Sequence, residues 1–293
     1  MESHGVRPVL VGYDGSSPAT TALRWAQEEA AHRQAPLELV YVNEWSTPAG
    51  IIPLAAGWPD TSVRREAVAA LNRTIDHVRD TSPELEVNGR VLDGPIISEL
   101  RHLSEQSQLL VVGHRGLGGF AGLLTGSVAL GMSAQARCPV VVVRGSSHSR
   151  QPVVVGIDPH PNLDEVIRFA AEQAAARGVD LVAVRAWQPP PVPWRFDYQQ
   201  PWYDEEKLAE TEQALAEQLL EPWREKYSEL TIRLRMVPRT AADALISASA
   251  DAQLVVLGRR GRGGFAGLRL GSVARQLLHH SHCPIAIVPA TSG

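Results

Sequence analysis

Lysine is almost absent from this chain. Only Lys207 and Lys226 occur, so nearly all of the 28 basic residues are arginine. No lysine lies near either of the glycine-rich stretches described below, and there is no GKS or GKT sequence. Phosphoryl transfer of the P-loop type is thereby excluded. The HIGH-like and SGGxDS signatures of adenylating enzymes with related architecture are missing too. Cysteine is nearly as scarce, with Cys138 and Cys283 alone. Each precedes a proline at the start of an apolar run, 145 positions apart. A small buried residue at a repeated structural position explains the pair better than a redox couple. No apolar run approaches the roughly 20 residues of a membrane span. The first residues, MESHGVRPVLVGYDG, pass straight into a strand pattern without a signal-peptide pattern. A cytoplasmic protein without membrane contact is expected. A net charge of −4 gives no footprint for nucleic acid.

What the chain does have, it has twice. VVGHRGLGGFAGLLTGSVA, Val111 to Ala129, returns as VLGRRGRGGFAGLRLGSVA, Val256 to Ala274, with 14 of 19 positions identical. A length of 293 residues suits two domains, and the repeat divides them at 1–148 and 149–293. GSSHSRQ, Gly145 to Gln151, reads as the polar linker.

Each half alternates short apolar runs with helix-period segments. In the first, strands are expected at Pro8–Tyr13, Leu37–Asn43, Glu86–Leu92, Gln108–Val112 and Pro139–Arg144. Helices fall between them. One is capped by Ser17 before Pro18 and carries Ala19, Ala22, Leu23, Ala26 and Ala30 on one face. The same order restarts at Pro152 with PVVVGI. A long helix from Asp204 to Lys226 is expected to bend near Pro222. Loops rich in Pro and Trp, Trp45–Asp60 and Trp187–Tyr203, occupy matching places. Strands apolar on both faces, alternating with helices, predict an α/β fold. It comprises two tandem doubly wound domains, each a five-stranded parallel sheet with helices on both faces.

Ligands of such sheets sit beyond the strand carboxyl ends, where strand order reverses. Two segments there carry unusual chemistry. One is the turn after the first strand, Gly12-Tyr13-Asp14-Gly15-Ser16, matched by Gly156-Ile157-Asp158-Pro159-His160. The other has the spacing Gly-x2-Gly-x9-Gly-Ser: Gly113, Gly116, Gly126, Ser127, then Gly258, Gly261, Gly271, Ser272. Main-chain N–H groups in a glycine turn and at a helix start can face an anion. Arg115 and Arg260 can neutralise phosphate. A carboxylate at Asp14 or Asp158 can accept hydrogen bonds from a sugar or an adenine edge, or merely cap its own turn. Phe120 and Phe265 inside the loops are expected to tuck onto their domains. His279, His280 and His282 are expected to be solvated helix-end histidines, and no metal site is assigned.

VGYDGS, VGID and the two glycine motifs together resemble the universal stress protein family in its tandem, ATP-binding form. The resemblance covers essentially the whole chain. It implies the strand order 3-2-1-4-5, ATP between strands one and four, and frequent dimers. Carried onto this sequence, it puts adenine and ribose near Gly12, Asp14 and the main chain at Val42. The phosphates fall near Gly113, Arg115, Gly116, Gly126, Ser127 and Val128. The matching set is Gly156, Asp158, Val184, Gly258, Arg260, Gly261, Gly271, Ser272 and Val273. The departure is Asp158-Pro159-His160, where Pro159 fixes φ and removes an N–H; a different turn and ligand grip are expected there.

The function expected is an ATP-binding stress-response or regulatory protein whose nucleotide state is the signal. A homodimer and an unidentified regulatory protein are its expected partners. The alternatives are a slow Mg²⁺-dependent ATPase using the same site, and a structural dimerisation module with empty crevices. No catalytic residue is assigned, because no Ser/His/Asp or paired-carboxylate arrangement repeats with the domains.

Overall fold

The computed structural model describes residues 6–44, 61–117, 124–145, 150–188, 204–261 and 269–290. The Trp45–Asp60 loop, most of the Trp187–Tyr203 loop, and Phe120 and Phe265 lie outside the described residues. The chain divides into two compact units, Met1–Arg144 and Gly145–Gly293.

In the first unit the elements run β1 (Val9–Gly12), α1 (Ser17–Arg33), β2 (Leu37–Asn43), α2 (Thr61–Thr81), β3 (Val87–Asp93), α3 (Ile96–Ser104), β4 (Leu109–Gly113), α4 (Ser127–Gln135) and β5 (Val140–Val143). All pairings are parallel, in the order β3-β2-β1-β4-β5. β1, β4 and β5 are short and apolar at every residue but the terminal glycines. They fill the sheet's centre, where Val9, Leu10, Val11, Leu109, Leu110 and Val140 have no solvent exposure. Burying one such side chain is worth about 1.5–3 kcal/mol. The expected face of α1 is buried as read, with Trp25 and Glu29 added. Its cap is one residue earlier than expected. Ser16, not Ser17, is the N-cap, its hydroxyl accepting from Ala19 N at 3.2 Å, while Pro18 occupies the first turn where its missing N–H costs nothing.

The second unit repeats the plan: β6 (Val153–Gly156), α5 (Leu163–Arg177), β7 (Leu181–Ala186), α6 (Glu205–Lys226), β8 (Ile232–Val237), α7 (Ala241–Ala248), β9 (Leu254–Gly258), α8 (Ser272–His280) and β10 (Ile285–Val288). Its strands are also all parallel, ordered β10-β9-β6-β7-β8. α6 is capped by Asp204 and continues through Pro222 to Lys226. Cys138 and Cys283 are both buried, as a structural role requires. Among the described residues no helix is long and apolar enough to cross a membrane.

The helices α1 and α5 end alike and begin differently. Both C-caps adopt the left-handed conformation, Gln34 at φ 50° and Gly178 at φ 63°. At the start, Gly15 takes φ 81°, which the ring of Pro159 forbids at the equivalent place. The second turn cannot copy the first. α5 accordingly starts at Leu163 behind Asn162, two equivalent positions later than α1.

Candidate functional site

Strand order reverses between β1 and β4, whose register pairs Val11 with Val111, and between β6 and β9, which pair Val155 with Val256. The carboxyl ends of these neighbours bring together the Asp turn and the glycine loop in each unit. This is the geometry that opens a crevice in a doubly wound sheet.

The spacing of the motif has a visible purpose. Gly126 N donates to His114 O at 2.8 Å, and Gly271 N to Arg259 O at 2.9 Å. One main-chain bond thus pins the end of the loop beside its beginning. It sets the start of the following helix next to the end of the preceding strand. Ser127 and Ser272 are the first residues of α4 and α8, and both are exposed. No acidic side chain occupies the first turn of either helix, so its N–H groups and positive dipole end have no built-in anion.

The motif glycines have different neighbours. A Cβ at Gly113 would lie 2.8 Å from the carbonyl of Pro18, so this glycine lets β4 pass close to α1. At Gly258 the neighbours of such a Cβ are instead Arg260 O and the His160 ring, each at 3.2 Å. Gly116 is different. A Cβ there would meet Asp14 Oδ2 at 2.5 Å, so glycine admits the carboxylate to the loop.

In the first unit Asp14 joins the two segments. Its Oδ1 accepts from Ser16 N at 3.0 Å and its Oδ2 from Leu117 N at 2.8 Å. The same carboxylate shapes its own turn and holds a loop amide. The capping and site readings of this aspartate are therefore not exclusive. Beside it, burial pulls the His114 imidazole below its ordinary pKa of 6.5; the bond with the Val143 main chain opposes this, and Arg144 and Arg115 add to it.

In the second unit the aspartate has another partner. Asp158 Oδ1 accepts from Arg185 Nη1 at 2.7 Å, and Arg185 Nη2 donates to Glu212 Oε2 of α6 at 2.6 Å. Burial opposes the Arg185 charge, but the hydrogen bonds to Glu212 and Asp158 more than offset it and raise its pKa above the usual guanidinium value. Arg185 is 5% exposed on a strand otherwise apolar. In the first unit its place is held by Tyr41. His160, standing where the first unit has Ser16, accepts from Asn162 N at 3.2 Å and approaches Gly258. Burial lowers its pKa from 6.5 against the pull of Asp158, Glu165 and Asn162.

A cavity of about 680 Å³ opens here. All nine residues expected in the second site line it: Gly156, Asp158, Val184, Gly258, Arg260, Gly261, Gly271, Ser272 and Val273. The first-unit set falls on equivalent elements, with one mismatch. The register pairs Gly12 with Val40 and Gly156 with Val184. Val42 is thus the counterpart of Ala186, not of Val184; Val184, Arg185 and Ala186 all line the cavity. Arg185, His160, Arg259 and Arg275, also in the lining, are not among the contacts expected from the sequence. A lone arginine inside LVAVRA was the available signal for the first of them. Among the described residues no group of three or more His, Cys, Asp and Glu side chains could hold a metal.

Fold and site together define a tandem doubly wound α/β protein that brings an Asp turn and a glycine loop together at the strand-order reversal of each unit, with a cavity there in the second. The profile of the universal stress protein family matches residues 5–144 and again 149–289; the chain belongs to that family. It is 33% identical over 290 residues to a universal stress protein of Mycobacterium tuberculosis strain H37Rv, covering 95% of both chains. It is 31% identical over 299 residues to one of Mycolicibacterium smegmatis, covering 96% of each. Among solved structures, a universal stress protein of Archaeoglobus fulgidus superposes with a TM-score of 0.68 at 15% identity, over 96% of both chains. That last likeness is one of fold.

Proposed function

We propose that each unit binds an adenine nucleotide, ATP with Mg²⁺, and that the bound state is a regulatory signal in the response to stress. One observation carries this reading. All nine candidate residues of the second unit, chosen for phosphate, sugar and base contacts, line a single cavity at the strand-order reversal. Its volume falls within the roughly 300–1,000 Å³ of small-molecule sites. The main-chain N–H groups of the glycine loop and of the α8 start would hold phosphates without lysine, while Asp158 and the main chain at Val184 to Ala186 would face sugar and base. In the first unit Gly12, Asp14, Val42, Gly113, Arg115, Gly116, Gly126, Ser127 and Val128 would take these parts. Assembly into a homodimer read by a protein partner belongs to the same proposal.

The test is to denature the purified protein and identify the released small molecule by mass, then to titrate nucleotide into Asp14→Ala and Asp158→Ala variants. ATP in the supernatant, with one site lost in each variant, is the expected result. Unchanged stoichiometry in both variants would refute the assignment. Steady phosphate release abolished by Gly116→Ala would replace a binding protein with a slow ATPase.

A further inference from the structure

The two sites share the main-chain bond that pins the glycine loop and differ in the charge around it. From β3 onward equivalent residues stand 145 apart. On this register Arg259 replaces His114, Arg275 replaces Leu130, and Arg269 replaces the exposed Leu124. Arg259, Arg260 and Arg275 all line the second cavity, and among the described lining residues the only acid, Asp158, is paired with the buried Arg185. Of the three the first unit keeps Arg115; Arg144, whose counterpart is Pro289, acts with it on a histidine that burial holds toward its neutral form.

For Arg275 the cost to its own helix is plain. Arg275 sits in the first turn of α8, near the positive end of the helix dipole, and no acidic residue shares that turn. A cation there is unfavourable to the helix. It also adds repulsion from the two arginines at the end of β9. Leucine at the matching place in α4 avoids both costs. An anion of high charge in the cavity reverses the balance, because the same groups then converge on it.

We propose that the second cavity selects for the length of a polyphosphate tail, binding a nucleoside triphosphate far more tightly than the monophosphate, while the first discriminates weakly. This rests on the reading of both crevices as nucleotide sites. One chain would then carry a sensor of phosphorylation state and a site that responds to total nucleotide.

The experiment is calorimetric titration of the full chain with ATP, AMP and inorganic tripolyphosphate. An Asp14→Ala background isolates the second site and Asp158→Ala the first. The second site should show the larger ATP:AMP affinity ratio and the steeper loss of ATP affinity with added salt. Arg275→Leu, an exposed position, should weaken ATP there by about 5–10-fold, the effect of one screened charge-assisted contact, with AMP within about twofold. Leu130→Arg should raise the ratio at the first site. Equal ratios at the two sites, or an Arg275→Leu variant that weakens ATP and AMP alike, would overturn the proposal. If tripolyphosphate binds in a manner that Arg275→Leu abolishes while no nucleotide binds, the anion site stands and the nucleotide reading falls. If nothing binds, both fall.

Discussion

Asp14 and Asp158 occupy the same corner of the same fold and are held by different means. The first is held by main chain, bonded to the amides of Ser16 and Leu117. The second is held by side chains, through Arg185 to Glu212 on α6. The cause is local. Gly15 at φ 81° lets the first turn close on its aspartate, and proline at 159 denies that conformation to the second. A single φ angle has been traded for an ion triad around a buried arginine. The lesson is that a duplicated site can keep its carboxylate while changing what orients it, and that the new support reaches a helix the old one did not touch.

The largest effect expected from breaking this contrast is on Arg185. Replacing it with methionine leaves Asp158 and Glu212 facing each other without their cation. Loss of one partner of a buried pair costs about 3–5 kcal/mol; with both acids partly exposed, at 36% and 23%, a loss near the lower end, about 3 kcal/mol, is expected. Scanning calorimetry should show the second unit melting earlier while the transition of the first stays in place. Tyr41→Phe, at the equivalent position, should do far less. Next comes the pair Gly116→Ala and Gly261→Ala. A Cβ meets Asp14 at 2.5 Å in the first unit but Asp158 only at 3.6 Å in the second. The first substitution must expel the aspartate from Leu117 N and should weaken nucleotide binding in its unit by about tenfold, one lost charge-assisted bond; the second should change affinity by less than about threefold. Equal losses would show that the two aspartates work alike after all.

Acid should affect both units through different residues. His114 and His160 are each held below the ordinary value of 6.5 chiefly by burial. The unfolded chain therefore binds the proton first. The stability these neutral imidazoles permit is present above about pH 6.5 and is lost as pH falls through that value toward the folded pKa of each. Urea midpoints measured down through this range should drop. His160→Gln should flatten the response of the second unit only. The smallest effect concerns the helix ends. Gln34 takes a left-handed conformation that its counterpart Gly178 adopts freely. Gln34→Gly should stabilise the first unit by about 0.5–1 kcal/mol, visible as a small rise in its melting temperature; a fall would mean that the glutamine side chain compensates.

Much of this architecture was legible in the residues. Apolar runs such as VLVG and LLVVG become central strands because nothing in them tolerates exposure. The face of α1 followed from a 3.6-residue period. The paired glycine motifs fall at the ends of β4 and β9, where strand order reverses. Other features were hidden for physical reasons. Ser16 and Ser17 are equivalent as letters, and only the φ of Gly15 decides which of them caps the helix. The role of Gly113 depends on how close α1 lies to β4, which no spacing encodes. Matching Val42 with Val184 misses by two residues: the strand registers, and the 144-residue offset that relates Asp14 to Asp158, both put Ala186 there. Arg185 was the costliest omission. Its meaning comes from Glu212, 27 residues away, and from the proline that left Asp158 in need of a partner.

One hydrogen bond per unit, from Gly126 to His114 and from Gly271 to Arg259, fastens each glycine loop at its neck. Beyond such a fastening added length costs the scaffold little, since doubling an already closed loop costs only about 0.6 kcal/mol. A fluorescent or affinity peptide spliced between the necks should leave both sheets intact. These two segments are thus natural ports for building a reporter into the molecule.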